Sequence, residues 1–198
     1  FTSDTFGLGS SWMDFPDVSY GEKFLYINTN VFAAQTGKLI FELPLADLQA
    51  GRGFTFQYAF IDWEKKLTIG SPTQNIVGDE NYWAAHVDNS TMRIYSSKGT
   101  DANFSWRERK IKNWPKTSDN NIVSAAPDNA DWLSEDHRII GATRVNNVLW
   151  FAWTAATGDG GGGGFKFPQP HVQIAKFDLG QDYKLIEQTQ VWNADHAY

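Results

Sequence analysis

Residues 136–156 read DHRIIGATRVNNVLWFAWTAA, and this stretch decides the fold class. Two apolar runs, IIGA and VLWFAW, flank a polar turn at Asn146 and Asn147. Short apolar or aromatic runs bounded by turn residues are typical of β-strands, so the stretch predicts a β-hairpin. The architecture then depends on whether this hairpin occurs once or recurs along the chain.

The rest of the chain breaks up into similar short runs, which predicts an all-β fold. Helical periodicity is scarce, and the best helical candidate, residues 43–49, is limited to a single turn by Pro44 and Gly51. The pattern alone allows a sandwich, a barrel or a propeller. The predicted strands are residues 17–20, 24–28, 38–43, 54–61, 75–77, 82–87, 92–96, 105–111, 139–143, 148–153, 172–178 and 185–192.

Internal similarity distinguishes between these folds. The segments LYIN (25–28), YWAA (82–85) and LWFA (149–152) are aromatic-rich, follow a polar turn, and lie between one short strand before and two strands after. A unit of four strands therefore recurs three times at a spacing of about 60 residues, which favours a propeller. The opening hairpin forms the two inner strands of the third unit. We predict one domain, 1–198, with blades at residues 12–70, 71–131 and 132–198.

Tryptophans mark the boundaries of these units. Trp12 leads into the first unit, Trp132 leads into the third, and Trp192 stands where a fourth would begin. A large indole that recurs with the repeat suits a position between neighbouring blades. We therefore predict that these three side chains are packed between blades.

With these motifs, residues 12–198 resemble β-propeller repeat proteins of the broad sialidase-like, exported type. In that family, blades open with a polar residue and Pro or Arg, and they close on an aromatic residue. The resemblance implies export, and thus an extracellular or periplasmic location. The chain departs from sialidases in one respect, because it lacks the Asp-box, a Ser-x-Asp-x-Gly-x-x-Trp turn. Residues 88–91 and 99–103 are only loosely similar loops.

Three blades form an incomplete ring, since closed propellers usually have four to eight. We therefore expect a segment of a larger propeller, in which remaining blades or another chain close the ring. The N-terminal sequence FTSDTFGLGSSW has neither an initiating Met nor a signal sequence, which agrees with a fragment or a processed product.

Composition excludes several classes of function. Seventeen basic and 23 acidic residues give a net charge of -6, which disfavours binding to nucleic acid. The absence of cysteine excludes disulfides, thiolate chemistry and Cys-based zinc sites. No stretch approaches the roughly 20 apolar residues of a membrane span.

Charged residues at the predicted blade entrances are the catalytic candidates. Asp14, Asp17, Glu135 and Asp136 lie where loops line the mouth of a propeller channel, and hydrolysis of a glycosidic bond needs two such acids. Arg138 begins an inner strand, and the resemblance implies that an arginine there binds an acidic sugar. The alternatives are structural: acids that cap turns, and an interblade salt bridge from Arg138 to Asp17 or Asp136.

Metal binding has little support in the sequence. The four histidines lack the close spacing of a metal pair, and we predict that His86 is a core or channel imidazole with a satisfied hydrogen bond. Calcium is the one possible cofactor, because oxygen ligands cluster in residues 117–121 and 128–131. Neither segment matches an EF-hand, and both also fit plain loops. The histidines are His86, His137, His171 and His196.

The glycine run at residues 160–164 does not match a phosphate-binding loop. Such a loop leads into a helix, whereas a strand follows here, and Lys166 is separated from the glycines by Phe165. We interpret the run as a flexible connection between the second and third strands of the third unit.

The aromatic surplus is the remaining indication of function. Trp63, Trp106 and Trp114 fall at blade edges and are candidates for stacking on a ligand, although burial between blades is the alternative. No Cys or GxSxG nucleophile is present. We therefore expect a non-catalytic binding or scaffold module that recognises a glycan or protein partner. The alternative is part of a glycan-active hydrolase or lyase with acids and Arg138 in the channel.

Overall fold

A computed structural model of the chain describes residues 1–62, 70–99, 104–117, 122–123, 134–135, 137–160, 165–195 and 197. Antiparallel strands dominate these residues, which confirms the prediction of an all-β chain. A short 3-10 helix, Ser3–Phe6, precedes the first strand. Among the described residues, no helix is both long and apolar enough to cross a membrane.

The first sheet has four antiparallel strands in chain order. β2 and β3 are buried along most of their length, which suits their aromatic and β-branched residues. β1 lies at the edge of the sheet and contains a β-bulge between Asp14 and Asp17. The elements are β1 (Trp12–Tyr20), β2 (Phe24–Phe32), β3 (Gly37–Pro44), the helix α1 (Leu45–Ala50) and β4 (Gln57–Asp62).

The second sheet has three antiparallel strands, β5 (Glu80–Asp88), β6 (Thr91–Lys98) and β7 (Phe104–Lys110). The turn between β5 and β6 is closed by Asp88, whose Oδ1 accepts a 2.7 Å hydrogen bond from the backbone N–H of Ser90. This side-chain-to-backbone bond is typical of Asp in tight turns.

The third sheet has four antiparallel strands and contains the hairpin of the opening stretch. Val145 pairs with Val148 across the two-residue turn, and Asn146 has a positive φ of 54°, which Asn tolerates better than most residues. A two-stranded sheet, β8 (Ile122–Val123) and β9 (Ser134–Glu135), precedes it in the chain. The sheet itself consists of β10 (Ile139–Val145), β11 (Val148–Ala155), β14 (His171–Asp178) and β15 (Lys184–Val191), and the hairpin β12 (Gly158–Gly160) and β13 (Phe165–Phe167) is inserted between β11 and β14.

The predicted strand at residues 75–77 is wrong, and so is the prediction of a fourth strand in the second sheet. Residues 70–77, the connecting segment, donate hydrogen bonds alternately to two sheets. The N–H groups of Gly70 and Thr73 bond to β5, whereas those of Ser71 and Gln74 bond to β10. A positive φ of 58° at Asn75 also interrupts the extended backbone. The connecting segment therefore joins the second and third sheets instead of extending one of them.

The three large sheets pack face to face in chain order. β5 is buried on both faces: Trp83 and Ala85 pack with Ile40 of the first sheet, while Tyr82 and Ala84 pack with Phe151 of the third sheet. Because both faces are covered, β5 carries the continuous apolar run YWAA instead of strict alternation.

The outward face of the first sheet is covered by the N-terminal residues. Phe6 and Leu8 are buried against Val31, Leu39 and Phe41. Trp12 does not join this core: its side chain is 53% exposed and contacts Phe32 at the sheet edge.

Trp192 is likewise partly exposed, and its ring contacts that of Phe165 in a tilted arrangement. The prediction that the boundary tryptophans are packed between sheets is therefore wrong for Trp12, which is the first residue of the edge strand β1. Trp192 follows the edge strand β15, and no further sheet covers it in the described part of the chain. Trp132 lies outside the described residues.

Candidate functional site

The inner cleft lies where the first strand of the first sheet meets the connecting segment and the start of β10. It holds a cavity of about 10 Å³, room for about one water molecule, and it opens to solvent. Its lining combines an aromatic ring, two cationic side chains, a carboxylate, an amide and a hydroxyl. These residues are Phe15, Asp17, Asn30, Lys38, Ser71 and Arg138, together with Gly70, Ile139 and Ile140.

Phe15 presents an exposed ring at the mouth of the inner cleft. It lies within the β1 bulge, where its φ is 52°, a left-handed conformation that is unusual for a bulky residue. The side chain is 52% exposed, and the Arg138 guanidinium lies 5.3 Å from the ring centroid. Strained backbone and bulges are often found at functional sites, where they redirect a side chain. The bulge here turns an aromatic ring toward solvent beside a cation.

Lys38 forms the floor of the cleft. Its side chain is only 2% exposed, and its Nζ donates a 3.2 Å hydrogen bond to Asn30 Oδ1. The Asp17 Oδ2 atom lies 3.9 Å from the same nitrogen. Burial lowers the pKa of Lys38 to about 8, with the Asp17 carboxylate opposing the shift and the Arg138 guanidinium adding to it.

Asp17 connects the first sheet to the connecting segment. Its Oδ2 accepts a 3.1 Å hydrogen bond from the Ser71 hydroxyl, and the nearby side chain of Gln74 donates to the backbone carbonyl of Val18 at 3.0 Å. These bonds hold the walls of the cleft together across two elements that are far apart in sequence. The site thus offers fixed donors and acceptors beside an exposed ring.

Of the five predicted catalytic candidates, the structure brings two, Asp17 and Arg138, into the same cleft, whereas Asp14 is not part of its lining. Asp136 lies outside the described residues. Among the described residues that line the cleft, Asp17 is the one carboxylate. A two-carboxylate mechanism is therefore not assembled by the described part of the site.

The three tryptophans predicted to bind ligand differ in their positions. Trp106 on β7 is 47% exposed and is covered on one face by the Arg93 guanidinium, 4.3 Å from the ring centroid. Trp114 is completely buried between the second and third sheets, so it is not a surface residue. Trp63 lies outside the described residues.

Sequence reasoning missed Phe15, Asn30, Lys38 and Ser71. The Asp14-Phe15-Pro16-Asp17 run held one signal, because Pro16 interrupts a strand and is typical of a bulge or edge. A second signal was the polar run Asn28-Thr29-Asn30 within an otherwise apolar strand, where all three side chains are buried. Burial of a lysine on a neighbouring strand has no comparable signature.

His86 forms a separate buried polar feature at the interface of the second and third sheets. Its ring lies 4.7 Å from that of Trp114 and 4.8 Å from that of Trp153. Burial lowers the pKa of His86 to about 3, with Lys116 and His137 adding to the shift. Among the described residues neither ring nitrogen has a hydrogen-bond partner, so the predicted hydrogen bond of His86 is not found there.

Within the described ranges, no three His, Asp or Glu side chains converge as a metal site would require. Of the two candidate calcium segments, residues 128–131 and 118–121 lie outside those ranges. Comparison with models of protein families gives no match for this chain. Comparison with curated proteins also gives no match.

Proposed function

We propose that this chain is part of an exported β-propeller protein and acts as a glycan-binding module, with the inner cleft as its binding site. The single observation that carries the binding site is the exposed ring of Phe15, held on a left-handed backbone beside the polar floor formed by Lys38, Asp17 and Asn30. Sugars present apolar ring faces and many hydroxyl groups. An aromatic ring beside fixed donors and acceptors is complementary to both.

Two features support the propeller arrangement. Three antiparallel sheets follow one another in chain order and pack face to face. Their first elements, β1, the connecting segment and β10, meet at the inner cleft through the Asp17–Ser71 bond and the bond from Ser71 N–H to the Ile139 carbonyl. This convergence is what the inner strands of adjacent blades would do around an axis. Export rests on the resemblance alone.

Three sheets do not close a ring, so the proposal includes further blades from the same protein or from another chain. The outward face of the third sheet supports it, because Trp150, Val172 and Ile174 on that face are only half buried. An adjacent sheet would cover these side chains as the second sheet covers Phe151.

The binding proposal is tested by depletion of the protein from solution onto insoluble polysaccharides and cell-wall material. Phe15→Gly removes the ring and suits the left-handed backbone, so its effect on binding is separate from backbone strain. We expect this variant and Arg138→Ala to weaken binding at least about tenfold. Tyr20→Ala is the matched control, since it removes an exposed aromatic ring outside the cleft. Equal binding by all four proteins would overturn the proposal.

A glycan-active hydrolase or lyase is the second candidate. It is favoured by the position of Asp17 and Arg138 beside a lysine whose pKa of about 8 suits proton transfer near neutral pH. The enzyme would release reducing ends or unsaturated products from the bound polysaccharide, and Asp17→Asn or Arg138→Ala would abolish that release. Binding without product supports the first function instead.

A further inference from the structure

We propose that the chain holds a second ligand site, at the junction of the first and second sheets, which binds a small organic cation: an ammonium group carried on an apolar body. This junction cavity is lined chiefly by Phe24, Glu42, Asp47, Thr55, Phe56 and Gln57. None of its described lining residues belongs to the inner cleft, so the proposal does not depend on glycan binding there.

The junction cavity is large enough for a ligand. Its volume is about 530 Å³, which falls within the range of pockets that hold small molecules. The first sheet and α1 with the loop that follows it supply most of the lining, and Gly99, directly after β6, is the contribution of the second sheet. Thr55 and Gln57 are exposed, so the cavity opens to solvent beside them.

The lining carries negative charge. Among the described residues that line the cavity, Glu42 and Asp47 are carboxylates and none is cationic. Glu42 is only 5% exposed, and its Oε1 accepts a hydrogen bond from the Ser97 hydroxyl. Asp47 is half-buried, and its Oδ1 accepts a 2.7 Å bond from the Arg52 guanidinium, which leaves its second oxygen for a further donor. Carboxylates in a concave wall favour a cationic ligand over an anionic one.

Tyr26 shows that the field of Glu42 extends to the wall of the cavity. Its ring centroid lies 6.4 Å from that of Phe24, which lines the cavity. Burial raises the pKa of Tyr26, and the carboxylate of Glu42 is the first of the nearby charges that raise it further. The negative charge of the lining is therefore felt by the group directly behind it.

Two half-buried rings, Phe24 and Phe56, supply the apolar part of the lining. The backbone of Gly99 presses on Phe24, since a Cβ there would lie 2.5 Å from the ring. The Phe56 centroid lies 5.8 Å from that of Phe6 and 6.4 Å from that of Phe41. Rings that are already packed lose little freedom when a ligand binds, and their faces attract cations. Rings and carboxylates together are complementary to an ammonium group on an apolar body.

Three probes that share one body and differ in charge test the proposal on the full chain. Phenethylamine is the cation, phenethyl alcohol is its neutral counterpart, and phenylacetate is the anion. Dissociation constants are measured by isothermal titration calorimetry at pH 7. We expect the amine to bind at least about tenfold more tightly than the alcohol, and phenylacetate to bind most weakly. Added salt should weaken binding of the amine and leave that of the alcohol unchanged.

These measurements on the unchanged chain are decisive whatever the folding of any variant. Equal affinities for the amine and the alcohol, or no measurable binding of the amine, would overturn the proposal. Glucose is the fourth probe, because aromatic rings beside acceptors also suit a sugar. Binding of glucose as tight as that of the amine would overturn the cation in favour of a second sugar site.

Variants then test the location. Asp47→Asn removes one charge of the lining and should weaken binding of the amine about tenfold without changing that of the alcohol. Phe56→Leu keeps an apolar side chain but removes a ring face, so it should weaken the amine more than the alcohol. Glu187→Gln is the matched control, since it removes a carboxylate that is paired with Lys176 outside the cavity. Unchanged amine binding in both Asp47→Asn and Phe56→Leu would rule out the junction cavity as the site.

Discussion

The phenolic oxygen of Tyr26 in β2 donates a 2.7 Å hydrogen bond to the backbone carbonyl of Asp79, the residue that precedes β5. The same residue accepts a second contact from the first sheet, because the backbone N–H of Lys23 donates to Asp79 Oδ1 at 2.9 Å. Asp79 therefore joins the first and second sheets through both its main chain and its side chain.

Tyr26→Phe tests the strength of this junction. The substitution removes one buried hydrogen bond. The Asp79 carbonyl keeps its bond from the N–H of Gly99, so it still has one partner. We expect the free energy of unfolding to fall by about 1 kcal/mol, measured by urea denaturation. Tyr20→Phe is the control, since that side chain is largely exposed. A loss of equal size in both variants would contradict this account.

The buried His86 should make the folded chain less stable at acidic pH. The folded state holds its pKa near 3, whereas the ordinary value is 6.5. Below pH 6.5 the unfolded chain binds a proton that the folded chain does not, so protonation favours unfolding. The contribution of His86 is fully present above pH 6.5 and is lost as the pH falls toward 3, by about 1.4 kcal/mol per pH unit.

The measurement is the free energy of unfolding between pH 7 and pH 4 for the unchanged chain and for His86→Phe. The variant keeps an aromatic ring between Trp114 and Trp153 and removes two buried nitrogens that have no partner in the described part of the chain. It should lose this part of the acid sensitivity. Carboxylates affect both proteins alike, so the difference isolates His86. Parallel curves would show that the imidazole is solvated.

The buried Lys38 should make stability depend on pH at the alkaline end of the range. Its folded pKa of about 8 lies below the ordinary 10.5, so between these values the unfolded chain holds a proton that the folded chain has released. Stability therefore rises with pH through this window, by about 1.4 kcal/mol per pH unit. In Lys38→Met this rise should be absent, as measured by urea denaturation from pH 8 to pH 10. A rise of the same slope in both proteins would assign it to another group.

Gln188 of β15 attaches the residues that follow β7 of the second sheet to the third sheet. Its side chain accepts from the N–H of Lys112 at 2.8 Å and donates to the Lys112 carbonyl and to Gln173 Oε1, both at 3.0 Å. Gln188→Ala removes both bonds to the partly buried backbone of Lys112 and the buried bond to Gln173, so we expect a loss of about 2 kcal/mol in the free energy of unfolding. Gln190→Ala, which removes one 3.3 Å bond, should cost much less.

Strands and their turns could be predicted from sequence because their causes are local. The Asn146-Asn147 turn needs one residue that tolerates a positive φ, and the flanking apolar runs supply the paired strands. The segments LYIN, YWAA and LWFA each lie in a strand of a different large sheet: the second strand of the first and third sheets, but the first strand of the second sheet.

The connecting segment and the inner cleft could not be predicted, because their causes are not local. Residues 75–77 have strand-like composition, yet their neighbours bond to two different sheets. Lys38 is of a residue type that is almost never fully buried, and only the approach of Asn30 and Asp17 makes its burial tolerable. Asp17 and Arg138 could be predicted from their positions at unit entrances. The placement of Phe15 in the cleft could not, because it depends on the bulge in β1.

Gly70 lets the connecting segment approach the third sheet closely, because it has no side chain. A Cβ added at Gly70 would lie 2.2 Å from the backbone carbonyl oxygen of Ile139 and 2.7 Å from the Ile139 Cβ, so the backbone has to move. Gly70→Ala should therefore lower the free energy of unfolding by about 1–3 kcal/mol. It should also weaken the proposed glycan binding, because Gly70 and Ile139 both line the inner cleft. Gly53→Ala is the matched control, since a Cβ there meets no atom within 4 Å, and it should leave stability unchanged or slightly raised. Equal urea midpoints for the two variants would mean that the contact between the connecting segment and β10 is looser than the structure has it.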